Sequence, residues 1–129
     1  MTTIPTIDIM DALASEYADK SPSEILALAL NQPGEIAISF SGAEDVVLID
    51  MASHLGKPFR VFSLDTGRLH AETYQFIEQV RKHYNVDIEI CFPEREAIEN
   101  LTTRKGMFSF YQDGHQECCG IRKVQPLRK

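Results

Sequence analysis

Short apolar runs alternate with longer helical patterns through the middle of this chain, and this alternation constrains the fold more than any other feature. Strands joined through helices normally make right-handed crossovers, which produce a parallel sheet covered on both faces. The sequence therefore predicts an α/β fold with a parallel sheet flanked by helices. Strands are expected at residues 35–40, 59–64 and 86–92, and helices at 46–55, 70–84 and 94–105.

The N-terminal part predicts two helices. Residues 7–17 carry apolar side chains at helical spacing, and Ser21, Pro22 and Glu24 form a helix-start signal. The break at Pro33-Gly34 divides the chain into an N-terminal helical segment, 1–32, and a main domain, 33–129. The chain ends soon after Pro126 without an evident closing element, which indicates that the sequence is incomplete at its C-terminus.

Composition excludes several classes of function. The net charge of −6 argues against a general nucleic-acid binder, which usually carries a basic excess. No apolar run approaches the ~20 residues of a membrane-spanning helix, and the N-terminus lacks a secretory signal. Three cysteines that include an adjacent pair do not resemble a secreted disulfide framework. These features indicate a cytoplasmic protein without nucleic-acid or membrane partners.

Two polar loops follow the first two predicted strands. Ligands bind beyond the carboxyl ends of parallel strands, so residues 39–45 and 65–68 are expected to lie side by side. Serine hydroxyls and helix N-terminal N–H groups in the first loop can receive phosphate or sulfate oxygens, although the loop is not a Walker A sequence. Asp65 in the second loop could accept a hydrogen bond from a ribose hydroxyl or the adenine amino group. Ordinary turns held by local hydrogen bonds remain an alternative for both loops.

The adjacent cysteines Cys118 and Cys119 are the most informative feature. Neighbouring cysteines bridge each other poorly, whereas two thiolates side by side can bind two metals of one cluster. Iron–sulfur clusters use four cysteines, and Cys91 is expected to be buried in a strand, remote from the pair. Two buried thiols remain the alternative. Arg122 and Lys123 could offset thiolate charge, hold a substrate anion, or belong to a solvated helix face.

Three motifs together resemble one family. Ser-Phe-Ser-Gly-Ala-Glu-Asp at 39–45, Leu-Asp-Thr-Gly-Arg-Leu-His at 64–70 with Glu-Thr-Tyr at 72–74, and Cys-Cys-Gly-Ile-Arg-Lys at 118–123 occur in this order. The chain resembles the sulfonucleotide reductases, specifically the branch that reduces adenosine 5'-phosphosulfate with a 4Fe–4S cluster. The resemblance covers residues 33–129 and implies an adenine nucleotide alpha hydrolase-like fold. The first motif alone would indicate only a wider group that includes ATP pyrophosphatases.

The resemblance implies a reaction and a set of site residues. In this family a C-terminal cysteine thiolate attacks the sulfur of the bound sulfonucleotide, which gives S-sulfocysteine and AMP. Thioredoxin or glutaredoxin thiols then release sulfite for sulfate assimilation. Cys118 and Cys119 would be half of the cluster ligands. The residues implied in substrate binding are Ser39, Ser41, Gly42, Asp45, Leu64, Asp65, Thr66, Gly67, Arg68 and Lys123.

The chain departs from the family pattern at its C-terminal end. The second cysteine pair, further arginines and the nucleophilic cysteine are expected downstream of Lys129. The chain is therefore predicted to be inactive by itself, to hold no stable cluster, and to pack poorly from Met107 onward. It is compatible with a homo-oligomer. A nucleotide-binding module without redox activity, and an ATP pyrophosphatase-type enzyme, remain the alternative functions.

Overall fold

A three-stranded parallel sheet lies at the centre of the computed structural model, which describes residues 7–128. The strands are β1 (Ala37–Ser39), β2 (Arg60–Leu64) and β3 (Ile88–Cys91), in the order β1-β2-β3. Both pairings are parallel, so the predicted sheet is confirmed. The helices are α1 (Ile7–Glu16), α2 (Pro22–Leu30), α3 (Val46–Leu55), α4 (Ala71–Tyr84), α5 (Arg95–Lys105), α6 (Ser109–Asp113), α7 (Gln116–Cys119) and α8 (Gln125–Leu127).

Local sequence signals set the helix boundaries. The Ser21 hydroxyl accepts a hydrogen bond from the Glu24 N–H at 3.3 Å, which caps α2 as predicted. Helix α3 ends where Gly56 adopts a left-handed conformation with φ of 69°. Asn85 ends α4 in the same way, with φ of 51°. The predicted helix limits therefore agree with the structure to within one or two residues.

The main core covers one face of the sheet. Ile38 of β1 pairs with Val61 of β2, and both pack against the fully buried Ile49 and Ala52 of α3. Leu30 of α2 joins the same cluster, so the N-terminal helical segment contributes to the core. Successive strand residues face opposite sides. The expectation of two covered faces is only partly met, because the residues that alternate with these are exposed or half-buried: Ala37, Ser39, Phe62 and Leu64.

The C-terminal segment is better packed than expected. Cys118, Arg122 and Pro126 are buried, so the prediction of poor packing from Met107 onward is wrong for these positions. The prediction holds for an exposed group between α5 and α7. That group consists of Met107, Phe108, Phe110 and Tyr111.

Ion pairs attach α7 to α5. Glu117 accepts from Arg104 at 2.6 Å and from Lys105 at 2.7 Å, and Lys105 also approaches Asp113 at 3.7 Å. These pairs lie directly before Cys118 and hold the cysteine pair on the domain. A prediction based on local patterns could not anticipate them, because the partners lie eight to thirteen residues apart. Within residues 7–128, no helix combines the length and apolar character needed to cross a membrane.

Candidate functional site

One cavity collects the carboxyl ends of β1 and β2, the first turns of α4 and the C-terminal segment. Its volume is about 450 Å³, within the range of ~300–1,000 Å³ typical of small-molecule sites. The two polar loops line it together, so the prediction that they lie side by side is confirmed. The lining residues are Ser39, Phe40, Ser41, Gly42, Ala43, Ser63, Leu64, Thr66, Leu69, Glu72, Thr73, Phe76, Ile77 and Lys123.

Asp45 organises the first loop from within. Its Oδ2 accepts hydrogen bonds from the Ser41 N–H at 2.7 Å, the Ser41 hydroxyl at 3.0 Å and the Gly42 N–H at 3.0 Å. The backbone N–H groups of Ser41 and Gly42, more than the hydroxyl, lower the pKa of the Asp45 carboxyl. The carboxylate therefore takes the donors that were expected to receive a ligand anion, and Asp45 itself does not line the cavity.

The hydrogen bonds of Asp45 make the loop sensitive to acid. Its pKa is depressed in the folded chain, so its stabilising contribution is complete above the ordinary value of 3.8 and is lost as pH falls through the lower, folded value. We expect Asp45→Asn to reduce the free energy of unfolding at pH 7, and this difference to shrink below pH 3.8. Chemical denaturation at a series of pH values measures it.

Asp19→Asn is the matched control, because Asp19 is exposed and lies outside the loop. Its effect on the free energy of unfolding should be smaller throughout. If the difference in the free energy of unfolding between Asp45→Asn and the unsubstituted chain stays constant down to pH 2, the Asp45 carboxylate does not stabilise the loop as proposed.

Asp65 plays a comparable part in the second loop. It is 8% exposed, and its Oδ1 accepts from the Gly67 N–H at 2.8 Å and from the Tyr74 hydroxyl at 2.9 Å. The hydrogen bond to Asp65 raises the pKa of the Tyr74 hydroxyl. Gly67 completes the turn with φ of 82°. The structure therefore gives Asp65 the local backbone partner that the turn interpretation expected, together with a tyrosine partner that it did not.

A π-helix at Gly120–Val124 places the consecutive basic residues Arg122 and Lys123 in different environments. Arg122 is buried, and its Nη1 donates to the Thr66 carbonyl at 2.5 Å. Lys123 is exposed and lines the cavity. Single-turn π-helices occur frequently at functional sites, because the extra residue turns neighbouring side chains to new directions. The alternative that both residues form a solvated helix face is wrong for Arg122.

The three cysteines occupy different environments. Cys118 is buried, Cys119 is half-buried, and all three are free thiols. Cys91 is half-buried at the end of β3 rather than buried, because β3 is an edge strand of the sheet. Across residues 7–128, no three His, Cys, Asp or Glu side chains form a group that could hold a metal ion. The adjacent thiols of Cys118 and Cys119 are therefore two candidate metal ligands, with no third ligand grouped with them in the described part of the chain.

Six of the ten predicted substrate-binding residues line the cavity, and the other four do not. The six are Ser39, Ser41, Gly42, Leu64, Thr66 and Lys123. The four are Asp45, Asp65, Gly67 and Arg68, which support the loops instead. Sequence reasoning missed Thr73, Phe76 and Ile77, although their spacing on one face of α4 was a usable signal.

Comparison with known proteins gives the family. The protein-family model described as the phosphoadenosine phosphosulfate reductase domain matches residues 35–129 of this chain. An adenosine 5'-phosphosulfate reductase of Pseudomonas aeruginosa (strain LESB58) is 59% identical over 121 residues, which are 93% of this chain and 45% of the relative. The chloroplastic 5'-adenylylsulfate reductase 1 of Arabidopsis thaliana is 55% identical over 95% of this chain and 27% of the relative. The chain thus spans less than half the length of these relatives.

A solved structure supports the same fold. The phosphoadenylyl-sulfate reductase of Candida auris superposes with a TM-score of 0.80 over 99% of this chain and 63% of the other. At 22% identity, this likeness concerns the fold alone. The domain match and the identities above 50% establish the relationship: the chain belongs to the phosphoadenosine phosphosulfate reductase domain family.

Proposed function

We propose that this chain is the nucleotide-binding part of an adenosine 5'-phosphosulfate reductase. The whole enzyme would reduce adenosine 5'-phosphosulfate to sulfite and AMP during sulfate assimilation and cysteine biosynthesis in the cytoplasm. The observation that carries the proposal is the single cavity shared by the two motif loops and Lys123. The names of the relatives at 59% and 55% identity support the choice of substrate.

The chain's own residues would bind and orient the substrate. Apolar Phe76, Ile77 and Leu69 offer a surface for the adenine ring, while Ser39 and Thr73 offer hydroxyls to polar groups. Lys123 would hold the phosphosulfate, since an ammonium group forms a strong charge-assisted contact with such an anion. The site would thereby present the sulfur to an attacking thiolate.

The redox step balances with thiols as the reductant. A cysteine thiolate outside this chain would attack the sulfur and break its bond to the phosphate oxygen, so that AMP leaves with the bonding electron pair. A thiol of thioredoxin or glutaredoxin would then attack the S-sulfocysteine sulfur that bears the sulfonate. Sulfite leaves, and two thiols have become one disulfide. The resemblance to the family supports this sequence, and the chain contributes binding rather than the nucleophile.

Cys118 and Cys119 would hold one side of a 4Fe–4S cluster. Their adjacency, the burial of Cys118 and the nearby Arg122 and Lys123 fit a site of anionic thiolates. The cluster, when bound, would fix this segment and contribute negative charge beside Lys123. A second candidate function is a nucleotide-binding module without redox activity, because the two loops, α4 and Lys123 form the cavity independently of the cysteine pair.

Ligand titration tests the proposal. We expect the 129-residue chain to bind AMP and adenosine 5'-phosphosulfate in isothermal titration calorimetry, and to bind ATP more weakly. ATP binding that exceeds both would favour the ATP pyrophosphatase interpretation. Absence of binding by AMP and by adenosine 5'-phosphosulfate would overturn the proposed site. This chain joined to the remainder of the Pseudomonas aeruginosa relative should release sulfite from adenosine 5'-phosphosulfate with added thioredoxin or glutaredoxin, whereas a pure binding module would not.

A further inference from the structure

Two arginine hydrogen bonds join the second loop to the C-terminal segment in opposite directions. Arg122 in the π-helix donates from Nη1 to the Thr66 carbonyl at 2.5 Å. Arg68 in the loop donates from Nη1 to the Met107 carbonyl at 2.7 Å, with its Cζ 5.8 Å from the centre of the Phe108 ring. We call these two contacts the arginine clasp. They connect parts of the chain that are 56 and 39 residues apart.

Arg122 is an unusual choice for a residue that serves packing alone. Its residue surface is 7% exposed, and its Nε–H has no hydrogen-bond partner within the described part of the chain. None of the ion pairs formed among residues 7–128 includes it. A buried guanidinium without a carboxylate partner is costly, and an apolar side chain of similar size would be less so. Such costs are typical of functional positions.

The second loop is shaped to receive this guanidinium. Gly67 has φ of +82°, and a Cβ atom built there would lie 3.2 Å from Arg122 Nη1. Glycine therefore permits both the turn and the close approach of the arginine. Thr66, whose carbonyl accepts the hydrogen bond, also lines the cavity, as does Lys123 next to Arg122. The contact thus lies directly behind the cavity wall.

We propose that Arg122 is a positioning residue for the nucleotide site. By holding the Thr66 carbonyl, it fixes the second loop to the segment that carries the cysteine pair and Lys123. Arg68 reinforces this attachment from the loop side. The inference rests on the proposed function, because the cavity is taken as a nucleotide site. Its consequence is that the geometry of the cysteine segment and the affinity for nucleotide depend on each other.

Substitution of Arg122 separates positioning from folding. We expect Arg122→Met to raise the Kd for AMP about fivefold, the value of one hydrogen bond of ordinary strength. Amide hydrogen exchange should become faster at Gly67 and Arg68, while exchange in β2 remains unchanged. Arg122→Lys retains the charge but not the planar fork, so loop exchange should stay faster than in the unsubstituted chain. Arg128→Met, which removes an exposed cation from the same segment, should change neither measurement.

Several results would overturn the inference. One is an Arg122→Met chain whose Kd for AMP, or whose amide exchange at Gly67, is unchanged. Another is an Arg122→Lys chain whose loop amide exchange is as slow as in the unsubstituted chain. If Arg122→Met does not fold, Arg68→Met breaks the other half of the clasp, and unchanged exchange at Gly67 and Met107 in that variant would equally reject it. If the unsubstituted chain binds no AMP, the proposed function fails, while the exchange measurements still decide the clasp.

Discussion

Replacement of Lys123 by alanine is expected to weaken the binding of adenosine 5'-phosphosulfate by about tenfold, the value of a charge-assisted hydrogen bond at the lower end of its range. Among the described residues that line the cavity, Lys123 is the one with a positive charge. The N–H groups of Ser41 and Gly42 already donate to Asp45. Much of the recognition of an anion therefore depends on the lysine. Isothermal titration calorimetry of the substituted and unsubstituted chains measures the change.

Two controls show whether the effect is local. Lys82→Ala removes the same charge from α4 outside the cavity, where Lys82 pairs with Glu78 at 3.7 Å. Because surface charges are screened, it should leave the affinity nearly unchanged. Uncharged adenosine should bind Lys123→Ala and the unsubstituted chain alike. A similar loss of adenosine binding would show that Lys123 shapes the cavity rather than holding the anion, and equal effects of the two lysines would reject a specific contact.

The sequence was sufficient for the three strands, for α1 to α5 and for the position of the cavity, whereas α6, α7, the π-helix and α8 were not predicted. The strands and helices follow local periodicity and capping residues such as Ser21 and Gly56, which depend on neighbours in the chain. The meeting of the two loops follows from parallel topology, since β1 and β2 end at the same edge. Both are consequences of short-range patterns and general rules of chain connection.

The roles of individual polar residues were less predictable. The carboxylates of Asp45 and Asp65 were expected to contact ligand, yet they accept hydrogen bonds from their own loops. A loop carboxylate can satisfy local N–H groups or a ligand, and composition alone does not distinguish the two. The burial of Arg122 depends on its contact with Gly67, which lies 55 residues away in the chain. Cys91 is half-buried because it lies in β3, an edge strand of the sheet. These outcomes depend on tertiary contacts that no local window contains.

The largest expected difference is in the iron content of the 129-residue chain and of a longer polypeptide that contains it. After anaerobic reconstitution with iron and sulfide, we expect the 129-residue chain to retain well under four irons, because the described residues bring only Cys118 and Cys119 together as candidate ligands. On the proposed function, the same chain joined to the remainder of the Pseudomonas aeruginosa relative should retain about four irons, since the family resemblance implies a second cysteine pair there that would complete the site. Iron analysis and visible absorbance measure both.

Cysteine substitutions in the joined polypeptide identify the ligands. Cys119→Ser should abolish most iron retention, because a hydroxyl is a poor substitute for a thiolate ligand. Cys91→Ser is the matched control, and should retain about four irons, since Cys91 lies at the end of β3 and forms no metal-binding group with the pair. Retention of four irons by the 129-residue chain would refute the hypothesis that this chain supplies only two of the four cluster ligands. Failure of the joined polypeptide to take up iron would instead refute the proposal that Cys118 and Cys119 are ligands of a 4Fe–4S cluster. It would favour a nucleotide-binding module without redox activity.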